Sequence, residues 1–190
     1  FGIMVPSAGA HPWDQYFLGR DILVAPVTRD GARARDVVLP PGRWMDFHSG
    51  TLHDGGPAGG AVITMDAPIT HIPLLLRAGA ILPMLSRTMD TLAPATDPGV
   101  ESYANNPGVL FTRMVPSEME ESFRVFDGTL LRQRRGQVTV TEGNTFRSGH
   151  VLEVLGTSRP SSVTLEGNAL PETGNRGALD AAAEGWFHDA

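Results

Sequence analysis

The sequence predicts an all-β fold, two small β-sandwich domains in series, and three observations carry that reading. The first is the stretch from Asp66 to Pro83. In it Ile72 to Leu76 form an apolar run broken only by Pro73, followed by Arg77, Gly79 and a second apolar pair, Ile81 and Leu82. So short and apolar a run reads as a strand covered on both faces. Pro68, Pro73 and Pro83 exclude a helix and confine pairing to strand ends or an edge. Gly79 lets the chain turn back, so a buried strand pair is expected here. The second observation is the succession of short β-prone segments separated by Gly and Pro turns. The third is the scarcity of helical pattern, since only the Ala-rich Leu179–Glu184 hints at helix.

Taken in order, residues 1 to 18 read as a lead-in. Pro12 ahead of Trp13 to Leu18 suits a short helical turn ended by Gly19. Asp21 to Val27 is a compact apolar strand closed by Pro26. Arg29-Asp30-Gly31 is a turn, and Arg35 to Leu39 the next strand, stopped by Pro40-Pro41-Gly42 in a type II turn. Arg43 to Phe47 continues as a strand with large apolar side chains on alternate positions, Met45 facing the other way. Gly50 to Gly60 has four Gly in its last six residues and is expected to be a flexible loop. Ala61 to Met65 leads into the apolar stretch. Thr88 to Gly108, with Pro94, Pro98, Pro107 and little periodicity, is the best candidate boundary. Beyond it the strands are shorter and more polar: Val109–Val115, Ser122–Phe126, Thr129–Arg134 with Gln137–Glu142 as a hairpin about Gly136, Val151–Leu155, and Ser162–Glu166 before a turn at Gly167-Asn168. The expected organisation is a lead-in over 1–18, a first sandwich over 19–88 and a second β-domain over 89–190.

Composition limits the function classes. A chain of 190 residues with 41% hydrophobic residues can build a real core. Its formal net charge of −6 argues against nucleic acid or an anionic membrane as partner. All 15 basic residues are Arg, which reads as a compositional bias of the source organism. There is no Cys, hence no disulfide and no thiolate metal site. No apolar run approaches the ~20 residues of a membrane span. The start, Phe1-Gly2-Ile3-Met4-Val5-Pro6, has neither an initiator Met nor a signal-peptide n-region, and reads as if cut from something longer. The compartment is left unassigned.

Four stretches, in order, resemble the region just after the catalytic barrel of family 31 glycoside hydrolases, the α-glucosidase and α-xylosidase group. They are Asp14 to Val27, Leu39 to Phe47 with Gly50 after it, the Gly-rich loop, and Ala67 to Pro83. The second half resembles the family's distal β-domain more loosely, and Phe126-Asp127-Gly128 departs from the longer acidic turn many members carry. The resemblance implies a retaining glycosidase parent with an eight-stranded α/β barrel whose two catalytic Asp residues lie upstream of Asp14. This chain would then hold the proximal and distal C-terminal sandwiches without the barrel, supporting and capping it and inactive alone. The partner implied is the catalytic barrel of the same parent chain, and the alternative is a carbohydrate-binding β-sandwich module.

The residues themselves nominate no catalytic, substrate-binding or metal-binding group and no cofactor. Asp46, Asp54, Asp66 and Asp90 sit beside turn residues, where Asp ordinarily caps or is solvated. Asp46-x-His48 and His53-Asp54 match no metal-ligand spacing, and exposed loop His is the plainer reading. His71 reads as a hydrogen-bonded packing residue; His11, His150 and His188 are isolated. No G-x-S-x-G occurs, and Gly55 to Gly60 lacks the Lys of a phosphate loop. Trp13, Trp44 and Trp186 invite sugar stacking, but Trp44, after its Pro-Pro-Gly turn, reads as a core anchor or a contact to the barrel. Arg77 beside a buried run needs a partner or must reach water. Asp14, Gln15, Trp44 and Arg77 are therefore the candidates for docking the barrel. Without that barrel, residues 1–27 and 72–76 are expected to leave an apolar patch.

Overall fold

The computed structural model of the chain describes residues 11–57 and 60–189, so the part of the expected lead-in up to Ala10 lies outside the described residues. The chain divides into two compact units, 1–156 and 157–190.

The first unit is built on a five-stranded sheet. Its strands are β1 (Tyr16–Leu18), β2 (Ile22–Val24), β4 (Arg43–Asp46), β5 (Leu52–Asp54) and β7 (Leu74–Arg77), ordered β1-β2-β7-β4-β5. All its pairings are antiparallel. Against one face lies the pair β3 (Ala34–Leu39) and β6 (Ala61–Asp66). Leu23, Leu75 and Trp44 from the large sheet meet Val37, Leu39 and Met65 from that pair, and together they form the first core. The opposite face is covered as well: Met45 and Leu76 pack with Ala80 and Val115, and Ile22, Leu82 and Leu155 join them. Neighbouring side chains on a strand point to opposite faces. Leu75 and Leu76, both fully buried, therefore anchor two different cores. The apolar run is a strand covered on both faces, as its composition predicts.

A three-stranded sheet supplies that second cover. It contains β8 (Ile81–Met84), β9 (Leu110–Met114) and β13 (His150–Val154), with β9 central, parallel to β13 and antiparallel to β8. Its far face packs Ile81, Leu110 and Met114 against Leu131, Val125 and Phe146 in a third core. Leu131 belongs to the last sheet of the unit, β10 (Glu121–Arg124), β11 (Leu130–Arg134) and β12 (Gln137–Thr141). The first unit is thus a stack of sheets separated by three cores. Pro83 sits inside β8, which is tolerated because β8 is an edge strand of its sheet.

Gly79 is where the expectation of a strand pair is corrected. β7 and β8 do not pair with each other; they belong to different sheets. The chain turns a corner through Ala78 and Gly79, the latter at φ +89°, a conformation that suits Gly. Ala78 N–H donates to Arg43 O (2.9 Å), Gly79 N–H to Val115 O (3.1 Å) and Ala80 N–H to Arg77 O (2.9 Å), so the corner is bonded to both sheets. The buried Gln133 amide nitrogen lies within 3.3 Å of the carbonyls of Gly79, Ala80 and Val115 and closes it from the third sheet. The apolar run is a strand that hands the chain from one layer to the next.

Four further expectations change. Tyr16–Leu18 is strand and not a helical turn, because pairing Phe17 with Leu23 seats its ring on the first core. The Gly-rich segment contains β5, whose residues pair with β4 and extend the large sheet. In the second unit β14 (Thr164–Leu165) and β15 (Asn168–Ala169) meet through Glu166-Gly167, not Gly167-Asn168, with φ +51° and +86°. Positive φ at both central residues is the tight hairpin geometry that matches strand twist. The helix of that unit, α1 (Arg176–Asp180), precedes most of the Ala-rich stretch. Asn175 fixes its start, accepting from Ala178 N–H at 2.9 Å, and Arg176 pairs with Asp180 one turn on.

Replacing Gly79 tests the corner. A Cβ there would lie 2.8 Å from Glu121 Cγ, whereas one at Gly19, also at positive φ (+66°), would meet nothing within 4 Å. Gly79→Ala is expected to lower stability in urea unfolding by about 2–3 kcal/mol and Gly19→Ala by about 1 kcal/mol. Equal midpoints for the two variants would contradict this account of the corner.

Candidate functional site

Charge is concentrated where the large sheet meets β10. Arg77, at the end of β7, has Nη2 at 2.9 Å and Nε at 3.0 Å from Asp21 Oδ1. Its Nη1 lies 3.4 Å from Glu121 Oε1. Arg20 completes the cluster, 3.3 Å from Asp21 and 3.3 Å from Glu121. Two guanidinium groups and two carboxylates thus join the β1–β2 turn, the end of β7 and the start of β10. Burial disfavours the charge on Arg77, but the hydrogen bonds and charges of Asp21, and then of Glu121, outweigh it and raise its pKa above the ordinary arginine value. The partner Arg77 was expected to need is therefore inside this chain.

Beside the cluster runs an open groove of about 730 Å³. Leu18, Ile22, Leu76 and Leu82 form apolar walls, and Phe123 and Arg124 contribute from β10. Both carboxylates of the cluster are committed to guanidinium contacts.

The other docking candidates are also engaged within the chain. Asp14 Oδ1 pairs with Arg35 at 3.1 Å, and the same guanidinium reaches the carbonyls of Asp14 and Pro26. Gln15, 2% exposed, donates to Val38 O (2.7 Å) and accepts from Val38 N–H (3.0 Å), so its amide extends the pairing of β3. Trp44, also 2% exposed, donates from its indole to Pro40 O at 3.0 Å and tilts against Phe17. It is a core anchor, and in register it faces Arg77 across the strands. Asp14 and Gln15 lie instead beside β3.

The loop carboxylates act as caps. Asp46 accepts from His48 and Ser49 N–H, Asp54 from Gly56 N–H, and Asp90 from Glu101 N–H. His48 Nε2 lies 3.0 Å from Ile72 O, and its ring meets His71 edge-on at 4.4 Å. Of residues 72–76, expected to be partly exposed, Leu75 and Leu76 are covered by the chain's own sheets, whereas Ile72 is exposed. Exposure falls on Trp13 (88%), Tyr16, Leu18, Ile69 and Ile72. The register Tyr16–Val24–Leu74 puts the segments entering β1 and β7 at the same end of the sheet. Sequence reasoning missed Asp21 and Glu121. Asp21 is separated from Arg77 by 56 residues and Glu121 by 44, so no local pattern marks either pair.

Residues 6–82 match the glycosyl hydrolase family 31 C-terminal domain. The chain is 29% identical over 185 residues to an isomaltosyltransferase of Sporosarcina globispora, covering 92% of this chain and 16% of that protein. It is 31% identical over 170 residues to an alpha-glucosidase of Aspergillus oryzae, covering 82% of this chain and 17% of the relative. Among solved structures, a cycloalternan-forming enzyme from Listeria monocytogenes, in complex with a pentasaccharide substrate, matches 93% of this chain and 16% of its own length, with a TM-score of 0.68 and 26% identity. These matches and the β-layered fold support a β-sandwich C-terminal region of glycosyl hydrolase family 31, with residues 6–82 as the part that the family model covers. It spans under a fifth of the length of these relatives.

A second polar cluster holds the β10–β11 turn. Asp127 accepts from Thr129 N–H (2.9 Å), Thr129 Oγ1 (3.0 Å) and Thr145 N–H (3.0 Å). Burial pushes its pKa up, but the N–H groups of Thr129 and Thr145, the Thr129 hydroxyl and the Phe146 N–H prevail and hold the carboxyl below its ordinary value. A depressed pKa gives stability that is complete above the unfolded carboxylate pKa and is lost as pH falls through the lower folded value. Asp127→Asn is therefore expected to be less stable than the native chain at pH 7, with the gap closing as pH drops below about 4. A gap constant from pH 7 to pH 2 in thermal unfolding would contradict it. For the junction, Arg77→Gln is expected to cost about 1–2 kcal/mol, limited by solvent screening of a side chain 35% exposed. A double-mutant cycle with Glu121→Gln checks the coupling, and strict additivity would remove Glu121 from the account.

Proposed function

We propose that this chain is the non-catalytic C-terminal β-region of a retaining α-glycosidase, and that it supports and caps a catalytic barrel carried by the same parent chain. The observation that carries the reading is the match of residues 6–82 to a C-terminal domain family, by a chain that spans 16–17% of its enzyme relatives. The parent would cleave or transfer α-linked glucosyl units, in keeping with relatives named alpha-glucosidase and isomaltosyltransferase. Retaining chemistry requires two carboxyl groups about 5 Å apart across the scissile bond. Here Asp21 and Glu121 are tied up in ion pairs, and Asp46, Asp54 and Asp90 in turns. Residues 19–88 would act as the proximal part and 89–190 as the distal part. The surface facing the barrel would include Trp13, Tyr16 and Leu18, exposed on and before the edge strand β1. Asp14 and Arg77 would stiffen its neighbourhood through Arg35 and Asp21, with Gln15 and Trp44 holding the sheet from within.

The alternative, a carbohydrate-binding sandwich, would want a row of exposed aromatic rings. Among the described residues, Trp44 is buried, Trp13 precedes β1 and Trp186 belongs to the second unit. Hydrolysis of a chromogenic α-glucoside separates the readings. The expected result is turnover by the longer gene product and none by the 190-residue chain. Turnover by the chain alone would overturn the proposal.

A further inference from the structure

The outer face of the β10-β11-β12 sheet carries a chemistry that the supporting role does not use. Alternation along the strands sends Leu131, Gln133, Val138 and Val140 inward. It leaves Ser122, Arg124, Arg132, Arg134, Gln137, Thr139 and Thr141 outward and exposed, with Leu130 half-buried between Arg124 and Thr141. Register places Arg124 level with Leu130, Arg132 level with Ser122 and Thr139, and Arg134 level with Gln137. The backbone positions of the three Arg residues therefore climb the sheet in steps of two residues, roughly 7 Å each along the strand direction. No outward strand position on this face is acidic. Among the described residues Arg132 and Arg134 make no ion pair, and Arg124 reaches only the Gly128 carbonyl, at 3.4 Å. In a chain of net charge −6, three unneutralised Arg on one sheet face are a local reversal of sign.

We infer that this face binds a carboxylate-bearing polysaccharide. A guanidinium fork matches a carboxylate in two parallel hydrogen bonds, and a ladder of such forks suits a polymer with acidic groups at regular intervals. The hydroxyls of Ser122, Thr139 and Thr141 and the Gln137 amide flank the ladder and offer the donors and acceptors that sugar hydroxyls need. Nucleic acid fits less well, because single-strand binders stack bases on aromatic rings and no outward strand position here is aromatic. Preferring a glycan to other polyanions rests in part on the accessory role in a glycosidase proposed above. The attachment would hold the parent near acidic glycans while its barrel acts on neutral ones.

Affinity electrophoresis of the chain in gels containing polygalacturonate, dextran or polyphosphate tests this. The expected result is retardation by polygalacturonate that weakens with salt, little by dextran, and less by polyphosphate than by polygalacturonate. The triple variant R124Q/R132Q/R134Q should keep its unfolding midpoint, since these side chains are exposed and unpaired with acids, and lose at least about tenfold in affinity. No retardation of the native chain, equal retardation of the variant, or tighter binding to polyphosphate would each overturn the inference. Because the readout is binding and not turnover, its failure leaves the barrel-support reading standing.

Discussion

The fold depends on a five-stranded sheet whose central strands, β2, β7 and β4, are covered on both faces. A sheet with one wet face can rely on alternation along each strand, but this one cannot. At β7 consecutive leucines serve opposite cores, and at β4 Trp44 and Met45 do the same. Burying a Leu side chain contributes about 2 kcal/mol, and truncating one in such a site costs about 2–5 kcal/mol. Stability is thus concentrated in the strands that two layers share. Everything else in the first unit is arranged to cover those strands: the β3–β6 pair on one side and the β8-β9-β13 sheet on the other.

That constraint explains the polar features near Gly79. A chain leaving a doubly covered sheet must pass into the next layer at once, and its peptide groups must find partners as it does. Gly79 supplies the backbone conformation, while Arg43, Val115 and Gln133 supply the bonding partners. The Arg77–Asp21–Glu121–Arg20 cluster lies at the same corner, where the close approach of Glu121 leaves no room for a Cβ on residue 79. Ion pairs of this exposure add modest stability; their larger consequence is to fix the angle between the β1–β2 turn and β10, which are the two rims of the groove.

The legible part of the sequence was local. Short apolar runs bounded by Gly and Pro marked nearly every strand, since pairing and burial act on the same few residues that set the pattern. Thr88–Gly108, with its prolines and little periodicity, holds the Thr91–Ser102 bridge and turns fixed by Asp90, Ser102 and Asn105. Pairing partners were not legible. Nothing near β7 announces that it joins β2 and β4 instead of β8, because that choice depends on long-range coverage. Pro12 ahead of Trp13–Leu18 and Gly19 after it pointed to a helical turn, but Tyr16–Leu18 pairs as a strand with Ile22–Val24. The partners of Arg77 were hidden by sequence distance. The Arg ladder was hidden for a different reason, since the absence of Lys made every Arg look like a matter of composition.

The central functional claim is that these β-layers exist to sustain a catalytic barrel. The most direct test is to produce the upstream part of the parent enzyme, ending before Asp14, with and without this chain supplied in trans, and to measure its thermal unfolding and α-glucosidase turnover. The account predicts an upstream part that is poorly stable and weakly active alone and is restored when the chain is added. An upstream part that is fully stable and active without the chain would contradict it.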